Sequence, residues 1–137
     1  MKSEKFITRR IIAGIIDYSI IFAVTSFYIY QFGEINSEGA YSVNGIKTFP
    51  IIIFWLAYIC GIETTLDSTL GNYIVGLQPV NLENESKITF KQSFLRHILD
   101  IIDMFFFGLV AIIIIRNSNE SQRLGDLIAK TKVIKIK

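Results

Sequence analysis

Cysteine and histidine are nearly missing from this sequence. Cys60 is the single cysteine and lies inside an apolar run, so neither a disulfide framework nor a cysteine metal site is expected. His97 is the single histidine, which argues against a histidine metal site within one chain. No metal and no cofactor are therefore expected. Charge is scarce too: 19% of residues are charged, the formal net charge is +2, and no Lys/Arg-rich block with interleaved aromatics offers a face for nucleic acid. Catalytic groups do not converge. The serines and threonines lie in loops or apolar helices without a histidine nearby, and Gly71 to Gly76 lacks both the P-loop lysine and the Rossmann glycine spacing. An enzyme is not expected.

What the chain has is apolar length. At 137 residues, 51% hydrophobic and a mean hydropathy of +0.45, it reads as a single membrane domain over residues 1–137. Ile11 to Phe32 gives 22 residues with one charge, long enough to span, with Tyr28, Tyr30 and Phe32 as an aromatic collar. Lys2, Lys5, Arg9 and Arg10 precede it as in a signal peptide. Asp17 interrupts the apolar part, however, and Val24-Thr25-Ser26 is a poor cleavage site, so a retained helix is predicted. Gln31 to Lys47 reads as a polar loop. A second span runs from Phe49 to Leu66, with Pro50 in its first turn and Glu63 near its far end.

Leu70-Gly71 predicts a tight turn or short helix, and Ile74 to Val80 a strand. Thr89 is placed to cap a helix from Phe90, in which Phe94, Leu95, Ile98, Leu99 and Ile102 share one face. That pattern predicts an amphipathic helix lying in the membrane interface. Met104 to Ile115 is wholly apolar but only about a dozen residues long, short for a span. A helical turn at 122–129 and a strand at 130–137 close the chain.

Positive charge decides between topologies. Three full spans with a cytoplasmic N-terminus put seven Lys and Arg on each side, whereas a re-entrant third segment puts thirteen inside against one outside. The asymmetry favours two full transmembrane helices, an amphipathic helix and a third, re-entrant apolar segment bent at Gly108, with both termini cytoplasmic in a multi-pass cell-membrane protein. The fold class is all-α in the bilayer, with a small cytoplasmic β-ribbon pairing the central and C-terminal strands.

Four charged residues stand out. Arg10 to Asp17 and Arg96 to Asp103 form two Arg-x6-Asp stretches that match at five of eight positions, both ending Ile-Ile-Asp. Within each stretch the charges lie about 10 Å apart along a helix, beyond direct bonding. Crossed pairing, Arg10 with Asp103 and Arg96 with Asp17, would satisfy all four as an intramembrane charge cluster. One reading is a staple between membrane segments. The other is a proton or cation site at Asp17, Glu63 or Asp100, because desolvation favours a protonated acid. Glu63, lacking a sequence-matched partner, is the better titrating candidate, and His97 is expected at the interface rather than in a relay.

These elements resemble the RDD family of small bacterial and archaeal membrane proteins, named for one arginine and two aspartates. Arg10, Ala13 and Asp17 resemble its first-helix signature, and Thr69-Leu70-Gly71 with Gly76-Leu77 its central segment. Leu95-Arg96 with Ile102-Asp103 and then Arg123-Leu124-Gly125-Asp126 with Ala129, Thr131 and Val133 follow in the family's order. Asn72 departs from the lysine often found there. The resemblance implies structural roles for Ala13, Gly71, Gly76, Gly125 and Asp126. It also implies either of two functions: handling of a monovalent cation or proton, as in members linked to cation/proton antiport, or service as a membrane module beside other proteins. The first needs a homo-oligomer, since so few helices cannot enclose a pathway. The second would bind a partner membrane protein or anionic lipid through basic residues such as Lys130, Lys132, Lys135 and Lys137.

Overall fold

A computed structural model of the chain describes residues 5–136. Its length is set by α1 (Ile7–Phe32), whose 26 residues rise about 39 Å and exceed a hydrocarbon core of ~30 Å. The helix buries only Ala13 and Asp17, one small residue and one acid, and leaves Phe22 and Phe27 exposed. Where the sequence predicts a plain loop there is a small hairpin, β1 (Glu34–Ile35) against β2 (Tyr41–Ser42). Its turn is built by the Asn36 side chain, which accepts the N–H groups of Glu38 and Ala40.

A second continuous helix covers Gly45–Thr65. It contains α2 (Phe49–Trp55), with Pro50 in the first turn, a π-helical segment at Leu56–Gly61, and α3 (Ile62–Thr65). The wider π turn carries Tyr58, Ile59 and Cys60, the buried apolar centre, against Tyr18, Phe54 and Phe94. Thr69 then caps α4 (Leu70–Ile74) by accepting the Asn72 N–H. The helix takes Ile74 from the expected strand, and Gly76 turns the chain at φ +72° into β3 (Leu77–Asn81).

Thr89 forms a capping box with Gln92 at the start of α5 (Phe90–Ile98). α6 (Asp100–Asp103) continues it, and α7 (Phe105–Asn117) leaves at 115°. Positive φ at Phe106, Phe107 and Gly108 marks the bend, which is therefore wider than the single glycine the sequence singled out. α8 (Leu124–Ala129) leads to β4 (Thr131–Lys135), antiparallel to β3 from Leu77↔Lys135 to Asn81↔Thr131. Lys137 lies outside the described residues.

The expectation for α5 and α6 is corrected in orientation. Ser93, Arg96, His97, Asp100 and Asp103 are the buried residues, while Ile98, Ile101 and Ile102 are exposed. A helix in an aqueous interface would turn its apolar stripe toward the protein or lipid and its charges to water; this one turns its charges onto its own neighbours.

The sheet gathers the ends of the long elements. Arg9 donates to the Val75 carbonyl at 3.3 Å, and Lys5 Nζ donates to the Ile115 carbonyl at 3.1 Å and to that of Arg116. The start of α1, the β3–β4 ribbon and the last turn of α7 thus meet at one end of the molecule. The last turn of α7 also reaches this end, through the Lys5 contacts.

Candidate functional site

At that end the chain buries acids and cations in one connected network. Asp126, on the first turn of α8, holds Arg10 Nη1 at 3.1 Å and Arg96 Nε at 3.5 Å, and accepts the Thr131 hydroxyl at 3.2 Å. Arg96 Nη2 faces Glu63 Oε1 at 3.5 Å. The other Glu63 oxygen meets the Ser93 hydroxyl and His97 Nε2, the latter at 3.1 Å. His97 Nδ1 lies 2.9 Å from Asp100, which also receives Arg123 and the Tyr18 hydroxyl. Asp103 accepts the N–H groups of Leu124 and Gly125, each at 3.1 Å, with Arg123 Nε at 3.9 Å. An isolated ion here would cost several kcal/mol, which is why every acid has a donor.

Local structure explains the convergence. Ser93, Arg96, His97, Asp100 and Asp103 recur every three or four residues, so α5 and α6 present them on one side. Glu63 comes from the last turn of the second long helix, and Arg123 and Asp126 from the start of α8, where Asp126 accepts the Arg123 N–H at 3.2 Å. Burial alone would raise the Asp126 carboxyl, but Arg96, then Arg10 and Arg123, outweigh it and hold it down at about 2. Burial likewise opposes the Arg123 charge, and Asp100, Asp126 and Asp103 overcome it and push the guanidinium above its ordinary range.

The crossed pairing expected between the two Arg-x6-Asp stretches is not made. Arg10 pairs with Asp126 rather than Asp103, and Arg96 pairs with Glu63 and Asp126 rather than Asp17. The reason is that each aspartate is already bonded to the backbone of a short helix. Asp17 accepts the Gly71 N–H at 2.8 Å and faces the Tyr58 hydroxyl at 3.5 Å, and among the described residues it makes no ion pair. Glu63, for which the sequence offers no matched partner, has Arg96, His97 and Ser93. His97, expected at the interface, is 5% exposed and bridges two acids.

The motif glycines serve close approach. A Cβ on Gly71 would stand 2.2 Å from the Ala13 carbonyl oxygen, and one on Gly125 2.3 Å from that of Arg96. Ala13 is correspondingly buried at 2% exposure. Sequence reasoning missed the pairing roles of Arg123 and Asp126 as well as those of Tyr18 and Ser93. The signal for the first two was the helix start at Arg123, with an acid three residues on whose carboxylate accepts the Arg123 backbone N–H.

Beside the network a cavity of about 990 Å³ lies between α1 and α7. Its walls include Ile11, Ile15, Phe22 and Ile112, and its floor includes Arg10, Asp17, Asp100 and Arg123. Ile15, Phe22 and Phe106 are 61%, 74% and 70% exposed, so its rim is apolar and open to the side. Among the described residues no group of three or more His, Cys, Asp or Glu is arranged to hold a metal ion.

Comparison with known proteins gives one result. The family model described as RDD family matches residues 5–130, nearly the whole chain. No curated protein and no solved structure matches it.

Proposed function

The chain belongs to the RDD family of membrane proteins, and we propose that it is a multi-pass binding module for an amphiphile, with its charge network acting as a clamp. In this reading α1 and the Gly45–Thr65 helix cross the bilayer. Phe90–Asn117 is re-entrant, and both termini face the cytoplasm, as the thirteen-to-one distribution of Lys and Arg favours. The ion pairs hold the re-entrant segment against the helical hairpin and keep the cavity beside α1 open. One observation carries the reading: the cavity joins apolar walls and an apolar, sideways-facing rim to a charged floor. A path for a hydrated ion would be lined with polar groups along its length; a site for a molecule with a chain and a head would have one polar end. Purification in mild detergent followed by native mass spectrometry tests this. A bound amphiphile is expected on the wild type and is lost from Ala111→Trp, which fills the cavity. A wild type that carries none, even after incubation with a lipid extract, would sink the proposal.

Asp17 favours a second reading, handling of a monovalent cation or proton by a homo-oligomer. It lines the cavity floor and, among the described residues, makes no ion pair, unlike Glu63, Asp100 and Asp126. Flux in proteoliposomes that Asp17→Asn abolishes would support it, and absence of flux in the wild type would end it.

A further inference from the structure

Beneath the floor of the cavity, two lining arginines carry buried hydrogen-bond donors that no described residue accepts. The Arg10 side chain is 10% exposed; Nη1 is bonded to Asp126, while Nε and Nη2 are buried and have no partner among the described residues. Arg96 is 2% exposed, and among the described residues its Nη1 is likewise without a partner. A guanidinium presents five N–H donors in a planar fork that matches the oxygens of a carboxylate or phosphate. The acids on the same floor are occupied. Both oxygens of Asp100 and both of Asp103 accept hydrogen bonds, and Asp17 takes the Gly71 amide, the Tyr58 hydroxyl and the Thr69 side chain. What this floor lacks is an acceptor, not another cation.

Resting on the amphiphile-binding reading, we propose that the occupant is a bilayer lipid with an anionic head group. Its oxyanion engages Arg10, with Arg96 behind it, and its acyl chain lies along α1 between Ile15 and Ile112. The lining residues of α1 run from Ile7 to Phe22, about 22 Å of groove at the helical rise, which suits an extended acyl chain. Entry is from the side, past the exposed Ile15, Phe22 and Phe106, so a lipid reaches the site without leaving the membrane. A free anion does not fit this cavity: inorganic phosphate could meet the arginines but would leave the apolar walls uncovered.

The test uses the full chain in nanodiscs containing one phosphatidylcholine, one phosphatidylglycerol and one cationic lipid at equal mole fractions. All three carry the same diazirine-bearing acyl chain, and cross-links are mapped by mass spectrometry. The anionic lipid is expected to label Ile15, Ala111 and Ile112 at least fivefold more than the zwitterionic one. The preference should survive 1 M salt, where exposed charges are screened beyond about 3 Å. Equal labelling by all three head groups overturns the head-group assignment and leaves lipid binding standing. Labelling in the cavity no greater than at the exposed Phe27 overturns both. Arg10→Gln is expected to cut the preference below twofold and Arg10→Lys to retain part of it. Because Arg10 also joins α1 to α8, a second pair of variants keeps the test sharp: Lys130→Gln and Lys135→Gln, on the exposed ribbon, are expected to leave the preference intact. If they abolish it instead, the head group sits on the surface and the assignment to Arg10 falls.

Discussion

In the first Arg-x6-Asp stretch Asp17 accepts the N–H of Gly71, and in the second Asp103 accepts the N–H of Gly125. Each glycine opens a short helix after a leucine, Leu70-Gly71 in α4 and Leu124-Gly125 in α8, packed against a carbonyl of the helix that bears the stretch. Each short helix leads to a strand, and the two strands pair. The two halves therefore follow one plan: a helix with a buried acid, a return segment, a short helix that the acid bonds, and a strand. They differ in length and charge. The first helix runs 26 residues without a break, whereas the second bends by 115° where α7 begins. Asp17 is bonded only by neutral donors, while Arg123 stands where the first half has Thr69 and brings a guanidinium to Asp100 and Asp103. The straight half supplies length. The bent half supplies most of the cations that fasten it in place, with Arg10 from the straight half.

The glycines give the sharpest way to break this comparison. Gly71→Ala and Gly125→Ala each force a methyl against a carbonyl oxygen that a rigid helix cannot move, so each is expected to cost about 3 kcal/mol by overpacking. Equilibrium unfolding in mixed micelles measures both. A large loss in one and none in the other would show that the halves do not share a joint. A smaller and asymmetric effect is expected of the acids. Asp103→Asn removes a charge from two amides and from Arg123, about 2 to 3 kcal/mol, whereas Asp17→Asn removes bonds to neutral groups only, about 1 kcal/mol. The reverse order would mean that Asp17 carries more of the clamp than its neighbours indicate.

How much of this was legible follows from which signals are local. The two long apolar runs, the Thr89 cap, the short segment ending near Ile115 and the C-terminal strand are written in periodicity and turn residues. The resemblance of Arg123-Leu124-Gly125-Asp126 to a family motif pointed to the right region. What could not be read was partner choice. Arg10 and Asp126 are 116 positions apart, and nothing in either sequence neighbourhood ranks Asp126 above Asp103 as the partner of Arg10. The orientation of α5 was misjudged for a related reason. The hydrophobic pattern locates two faces of a helix, but which face turns inward depends on whether the surroundings are apolar and on what Glu63 and Arg123 present from elsewhere.

Acid tests the charged half next. Burial would raise the Asp126 carboxyl, but Arg96, Arg10 and Arg123 hold it at about 2, below the ordinary aspartate range, so its contribution to stability is complete above the unfolded value and is lost as pH falls toward 2. The difference corresponds to on the order of 2 kcal/mol. Wild-type protein should therefore lose stability between pH 4 and pH 2, and Asp126→Asn, though less stable at neutral pH, should show a shallower acid limb. An unchanged limb would assign the acid sensitivity to other carboxylates.

The smallest expected effect lies outside both halves, at the hairpin between the long helices. Lys47 and Glu34 are 2.8 Å apart, and the hydrogen bond from Lys47, followed by its charge, lowers the Glu34 carboxyl from its ordinary value. Glu34 is nonetheless fully open to solvent, where two flexible side chains held in one geometry gain little and salt screens what they gain. Glu34→Gln should leave the unfolding midpoint unchanged within error, at low and at high salt. A distance of 2.8 Å would then contribute nothing measurable, whereas the longer Arg96 contacts at 3.5 Å are expected to matter, because what separates the two sites is access to water rather than proximity.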